Sequence, residues 1–126
     1  ALFLSRCLEK SKQADKLSRF ELVTRAFKPA LAQHFIKEKR PADYARRLNI
    51  SVPYLNECVK STTGFPVSYH IQQRIILEAK RLLYHSNKSV KEIAAELDYE
   101  DYAYFSRLFH KITGMTALTF RNKNRD

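Results

Sequence analysis

Apolar residues recur at helical spacing along nearly the whole chain. Phe20, Val23, Phe27, Leu31, Phe35 and Ile36 keep to one helical face, which predicts a helix from about Leu17 through Lys39. Pro29 falls inside it and predicts a kink or a split. Pro41 opens a second helix through Leu48 with Tyr44, Ala45 and Leu48 inward. Ser51 caps a third, in which Tyr54, Leu55, Cys58 and Val59 face the core, and Pro53 is harmless because first-turn amides lack intrahelical partners. Val67 to about Tyr84 reads as one helix of roughly 18 residues, about 27 Å long. Its apolar residues Ile71, Ile75, Ile76, Ala79, Leu82 and Leu83 cover more than one face, the pattern of a connector with a lobe on either side. Ser89 and Glu92 then form a capping box ahead of Val90, Ile93, Ala94 and Leu97. Asp101 caps a helix whose inward face is Tyr104, Phe105, Leu108, Phe109 and Ile112, and Gly114 ends it as a left-handed residue. A short final helix runs from about Ala117 to Asn122.

The two glycines show that one unit occurs twice. Thr63-Gly64-Phe65 and Thr113-Gly114-Met115 close matching stretches, Tyr54 to Lys60 and Tyr104 to His110, and Ala45 and Leu48 match Ala94 and Leu97 after a one-residue adjustment in the turn. Two copies are too few for a solenoid, which needs about three or more repeats. The fold class is therefore all-α: two helix-turn-helix subdomains joined by a long connector helix, a homeodomain-like tandem, with an N-terminal helical segment. The divisions fall at residues 1–40, 41–65, 66–86 and 87–126.

Charge supplies the class of partner. The net charge is +10 and the pI about 9.8, which favours a polyanion, with nucleic acid first. Hydrophobic residues at 44% are enough to fill a core, so the charge sits on a folded body. The excess is N-terminal, +7 over residues 1–50 against +2 over 51–86 and +1 over 87–126, where it serves phosphate contact, sensor docking or solubility. Cys7 and Cys58 lie far apart with no second ligand nearby, and His34, His70, His85 and His110 are isolated, so no metal site is signalled and both thiols read as free in a reducing compartment. Two glycines cannot build a phosphate loop or a nucleophile elbow, and no acid, base and nucleophile converge. A non-enzyme without cofactor is expected. No run reaches the roughly 18 apolar residues of a membrane span, and a cytoplasmic protein is the default.

In the helix-turn-helix plan the second helix enters the major groove. Subtracting core positions leaves Pro53, Asn56, Glu57, Lys60 and Ser61 outward on the first such helix, and Tyr102, Ala103, Ser106, Arg107, His110 and Lys111 on the second. Arg107 is the foremost base reader, through guanine O6 and N7, and Asn56 its counterpart through adenine N6 and N7. Glu57, which can accept from cytosine N4, and Ser106 are lesser readers. Lys60, His110 and Lys111 suit phosphate, as do the amides at the helix starts near Ser89 and Pro66, assisted by Lys88, Lys91 and Arg74. Major-groove faces repeat about every 34 Å, so a connector of this length lets one chain address two half-sites of a double-stranded operator. The alternatives are a solvated polar face and a helical protein-protein interaction adaptor with a basic surface, for which Tyr102 and Ala103 are the apolar hints. A membrane-surface helix would need an exposed apolar face with no core partner.

The stretches Glu78-Ala79-Lys80-Arg81-Leu82-Leu83, Ser89-Val90-Lys91-Glu92-Ile93-Ala94, Tyr104-Phe105-Ser106-Arg107-Leu108-Phe109 and Thr113-Gly114-Met115 carry a further implication. In order and spacing, over about residues 40 to 122, the chain resembles the C-terminal DNA-binding domain of the AraC/XylS transcription regulators. The resemblance implies a bacterial sequence-specific regulator, most often an activator that contacts RNA polymerase, with a sensor domain upstream, commonly a small-molecule-binding β-barrel. That sensor is absent here, and a start at alanine points to an excised fragment. Residues 1 to 40 would then be the link from the sensor or a dimerisation helix. Three departures stand out: Asn56-Glu57 where the second unit has Ser106-Arg107, Asp98-Tyr99 where the family has Gly-Phe, and Ala117 where it has proline. Asp98 can still take the left-handed conformation, while the missing proline leaves the final helix less sharply started.

Overall fold

The computed structural model describes residues 2–125, with side chains from residue 12 onward. The thiol of Cys7 lies outside the described side chains. Among the described residues there are helices and no strands: α1 (Leu2–His34), α2 (Pro41–Arg47), α3 (Val52–Thr63), α4 (Val67–His85), α5 (Val90–Glu96), α6 (Tyr102–Thr113) and α7 (Ala117–Asn124). They fall into two compact units, one of residues 1–33 and 40–70 and the other of residues 34–39 and 71–126.

The first unit packs α1, α2 and α3 around Phe27, Tyr44, Leu55, Cys58 and Val59, all buried. Phe27 meets Tyr44 edge-on at 5.4 Å between ring centres. Thr24 is buried too, and its hydroxyl lies between the carbonyls of Phe20 (2.9 Å) and Cys58 (3.2 Å), satisfying a polar group that would otherwise be costly inside. In the second unit the core is Ile75, Ile76, Ala79, Leu83, Ile93, Leu97, Phe105 and Phe109. Phe35 is buried with them, under the Arg74 guanidinium at 4.2 Å from its ring centre. The Arg121 Nε donates to the Leu83 carbonyl (3.0 Å) and Arg125 to the Ser86 carbonyl (3.0 Å), so two cations close the C-terminal end of α4, where the helix dipole favours positive charge.

The duplicated sequence becomes duplicated local chemistry. Ser51, Ser89 and Asp101 cap α3, α5 and α6. In the two turns, Asn49 (φ 58°) and Asp98 (φ 67°) both adopt the left-handed conformation, and the next amides, Ile50 and Tyr99, bond back to Ala45 (3.0 Å) and Ala94 (2.9 Å). At the ends of α3 and α6, Gly64 (φ 87°) and Gly114 (φ 80°) donate to Lys60 and His110, each at 2.8 Å. The threonines before them bond to Val59 (2.7 Å) and Phe109 (2.8 Å). Each Thr-Gly pair is thus a helix stop. No atom lies within 4 Å of a Cβ added at either glycine, so alanine there meets only the left-handed backbone penalty. Gly64→Ala and Gly114→Ala should each destabilise by about 1–2 kcal/mol, read from urea midpoints, with little change in the slope.

Three expectations are corrected. α1 starts at Leu2, well before Leu17, ends at His34, and continues through Pro29. Pro29 is exposed and does not split the helix. Tyr104 is 48% exposed and does not belong to the core face. The final helix starts sharply without proline, because the Thr116 hydroxyl accepts from the Thr119 amide at 3.1 Å.

Candidate nucleic-acid interface

Phe105, Leu108 and Phe109 fix which way α6 faces, since all three are buried. At 100° per residue the opposite side carries Ala103, Arg107 and His110, with Tyr104 and Lys111 on one flank and Tyr102 and Ser106 on the other. Arg107 is exposed and makes no ion pair among the described residues. With Gln72, Tyr104, Leu108 and Lys111 it borders a shallow hollow of about 150 Å³. Tyr102 and Ser106 border a second, about 270 Å³, with Val90, Thr116, Ala117 and Leu118. Tyr104 and Gln72 are the additions that structure makes to the expected site; the wheel of α6 alone sets Tyr104 about 100° from Phe105, a signal that its aromatic character obscures.

On α3 the buried residues are Leu55, Cys58 and Val59, and the outward set is Pro53, Glu57, Lys60 and Ser61, all exposed. Each sits where α6 has Ala103, Arg107, His110 and Lys111. The two faces differ in what their polar groups already do. Asn56 is half-buried, and its Oδ1 accepts from the Val67 amide at 3.0 Å, capping the start of α4. A bidentate adenine contact needs both ends of the amide, and one is committed. Glu57 is paired with Lys16 of α1 at 3.7 Å. Asn56→Ala should therefore cost about 1 kcal/mol of stability, as lost caps do, and leave base preference at the first half-site nearly unchanged in a binding-site selection. A lost adenine preference with unaltered melting would make it a reader instead.

The expected phosphate contacts divide the same way. Lys60, Lys91, His110 and Lys111 are exposed and make no ion pair among the described residues. Lys88 is closely paired with Glu96. Arg74 lies against Phe35 and 3.9 Å from Glu78, turned into its own unit by stacking and charge. Ser89 accepts from the Glu92 amide (3.1 Å) and its own amide donates to the Glu92 carboxylate (3.0 Å), so a carboxylate already occupies the place proposed for phosphate. Hydrogen bonding to the carboxylate from the Ser89 amide, and next from the Ser89 side chain, holds the Glu92 carboxyl below its usual pKa. At Pro66 the following amide, that of Val67, is the one bonded to Asn56.

No helix among the described residues is long and apolar enough to cross a membrane. Among them there is also no group of three or more histidine, cysteine or carboxylate side chains placed to hold a metal ion.

The pattern of a helix-turn-helix domain family matches residues 44–123. Among curated proteins, the transcriptional activator RhaR of Yersinia pestis is 28% identical over 126 residues, 98% of this chain and 42% of its own length. RhaR of an Enterobacter species is 30% identical over 105 residues, 83% of this chain and 36% of its own. The chain thus spans about two fifths of the length of these relatives. Among solved structures, the C-terminal domain of AraT, a response regulator from Geobacillus stearothermophilus, superposes with a TM-score of 0.78 at 24% identity, over 82% of this chain and 87% of that one. The DNA-binding domain of AdpA, a global transcriptional factor in complex with a target DNA, does so with a TM-score of 0.70 at 22% identity, over 80% and 90%. At these identities the structural likenesses establish the fold.

Proposed function

The chain belongs to the helix-turn-helix family of AraC-type DNA-binding domains, and from that premise we propose that it reads double-stranded DNA by sequence, as the DNA-binding part of a bacterial transcription activator. The observation that carries the reading is the pair of matched faces on α3 and α6, each the second helix of its helix-turn-helix and each turned to solvent. On α6, Arg107 is the principal base reader, with Tyr102, Ala103 and Ser106 beside it, and His110 and Lys111 meet phosphate. On α3, Glu57 and Pro53 face the bases, Lys60 meets phosphate, and Asn56 contributes at most its amide nitrogen. Lys91 remains a phosphate contact. Arg74 and Ser89 are left out, because each is already engaged, while Lys88, held by Glu96 only in an exposed and weak pair, stays a phosphate contact.

The two faces are not alike, so the operator is an asymmetric pair of half-sites about 10–10.5 base pairs apart, bound by one chain. Activation implies contact with RNA polymerase, and the length of the relatives is consistent with a sensor domain upstream. Such a protein works in the compartment that holds the DNA, the bacterial cytoplasm. The test is selection of bound duplexes from a random library, then affinity for the winner and for a scrambled control at several salt concentrations. A bipartite motif with a clear specificity ratio is expected. Weak, sequence-indifferent, steeply salt-dependent binding would leave only charge at work and turn the reading toward a protein adaptor.

A further inference from the structure

The positive charge of the N-terminal segment has no part in either reading helix, yet the first unit places some of it beside α3. Lys12, Lys16 and Arg19 follow one another at i, i+4 and i+7 on α1, all three exposed, with Asp15 the one acid among them. Lys16 reaches Glu57 on the outward face of α3, Nζ to Oε1 3.7 Å, and lies 5.6 Å from the Phe20 ring centre. Phe20 is buried and meets Tyr54 of α3 edge-on at 6.2 Å. Apolar packing therefore fixes this stretch of α1 next to α3, and the ion pair follows from it. An exposed pair of this kind is weak and releases Lys16 readily to a stronger anion. Lys12 and Arg19 make no ion pair among the described residues.

We propose that this strip of α1 is a third DNA-contacting element, in which Lys12, Lys16 and Arg19 meet backbone phosphates flanking the half-site addressed by α3. The proposal rests on the reading that α3 enters the groove, and adds an element outside both helix-turn-helix subdomains. The seven steps from Lys12 to Arg19 rise about 10 Å, and one DNA strand offers a phosphate about every 3.4 Å of helix axis, so three cations face about three phosphates. Two lysines in such a row are point charges without the paired donors and acceptors that base edges require. Phosphate is their natural partner. The strip also offsets Glu57, the acid that would otherwise oppose DNA at the first half-site.

The test uses the whole chain and the duplex its wild type selects. K12A/K16A/R19A is compared with R25A/K28A, which removes two cations from the other side of the same helix. Each phosphate contact contributes about 0.9 to the slope of log affinity against log salt. If all three residues make contact, the slope of the triple variant is shallower by about 2.7, and its affinity deficit shrinks about 40-fold between 50 and 200 mM salt. A single contact gives about 3-fold. The order of preference among sequences stays the same, and the control keeps the wild-type slope. An unchanged slope in the triple variant, or an equal loss in the control, overturns the proposal. K12Q/K16Q/R19Q repeats the measurement should alanine disturb the helix. If the wild-type chain binds all duplexes alike, sequence reading fails, while the slopes still decide this contact.

Discussion

Phe27→Ala should cost about 3–5 kcal/mol, the usual range for emptying a phenylalanine site in a packed core. Phe27 is 1% exposed and joins three elements of the first unit: it projects from α1, meets Tyr44 of α2 edge-on at 5.4 Å, and meets His70 of α4 at 6.2 Å. Tyr44 is itself fully buried, so its ring has little room to turn into the space. The His70 Nε2 is held 2.8 Å from the Thr63 hydroxyl, which limits collapse from that side as well. A domain of this size has about 5–15 kcal/mol of stability in all, and the loss is a large part of it. Urea midpoints give the total, and amide exchange should locate the loss in α2 and α3. A cost below about 1 kcal/mol would mean that α1 does not pack on the unit as described, since a cavity of this kind cannot be closed so cheaply.

How much of this was legible depended on the range of the interaction. Caps and stops act within a few residues: Ser89 with Glu92, Asp101 with Tyr104, and Thr113 with Gly114 can be read in a line of text, and the structure has them all. Asp98 in the left-handed conformation belongs with them. The start of α1 was hidden for the opposite reason. Residues 12–19 are all exposed, so no buried face marks that stretch of the helix, and only the propensities of lysine, glutamine, alanine, leucine and arginine favour it there. Contacts between distant residues left no periodic trace. That Asn56 would cap α4, that Lys16 would lie beside Glu57, and that Arg74 would fold over Phe35 depends on packing that brings separate elements together. These same contacts decide which polar residues remain available, so the fold was more legible than the site.

Arg107→Ala should weaken binding to the selected duplex by about 1–3 kcal/mol, roughly 5- to 150-fold, and relax preference at one base position. The expectation follows from what Arg107 does without DNA. It is exposed, stands opposite the buried Phe105, Leu108 and Phe109, and bonds to nothing among the described residues, so its removal should move stability by no more than about 0.5 kcal/mol. Alanine alone does not separate the guanidinium fork from its charge. Arg107→Lys keeps the charge and loses the paired donors that match guanine O6 and N7, so it should hold the wild-type salt slope and still lose the base preference. The opposite result, full preference with lysine and a slope shallower by about 0.9 with alanine, would make Arg107 a phosphate contact. Base reading on α6 would then fall to Ala103, Tyr102 and Ser106, whose short or apolar side chains suit a thymine methyl better than guanine. Glu57, in the matching place on α3, gives the complementary case: Glu57→Gln removes the charge that opposes phosphate, so affinity for all duplexes rises while any preference for cytosine at that position falls. Together the two substitutions assign a base to each unit from opposite signs of charge.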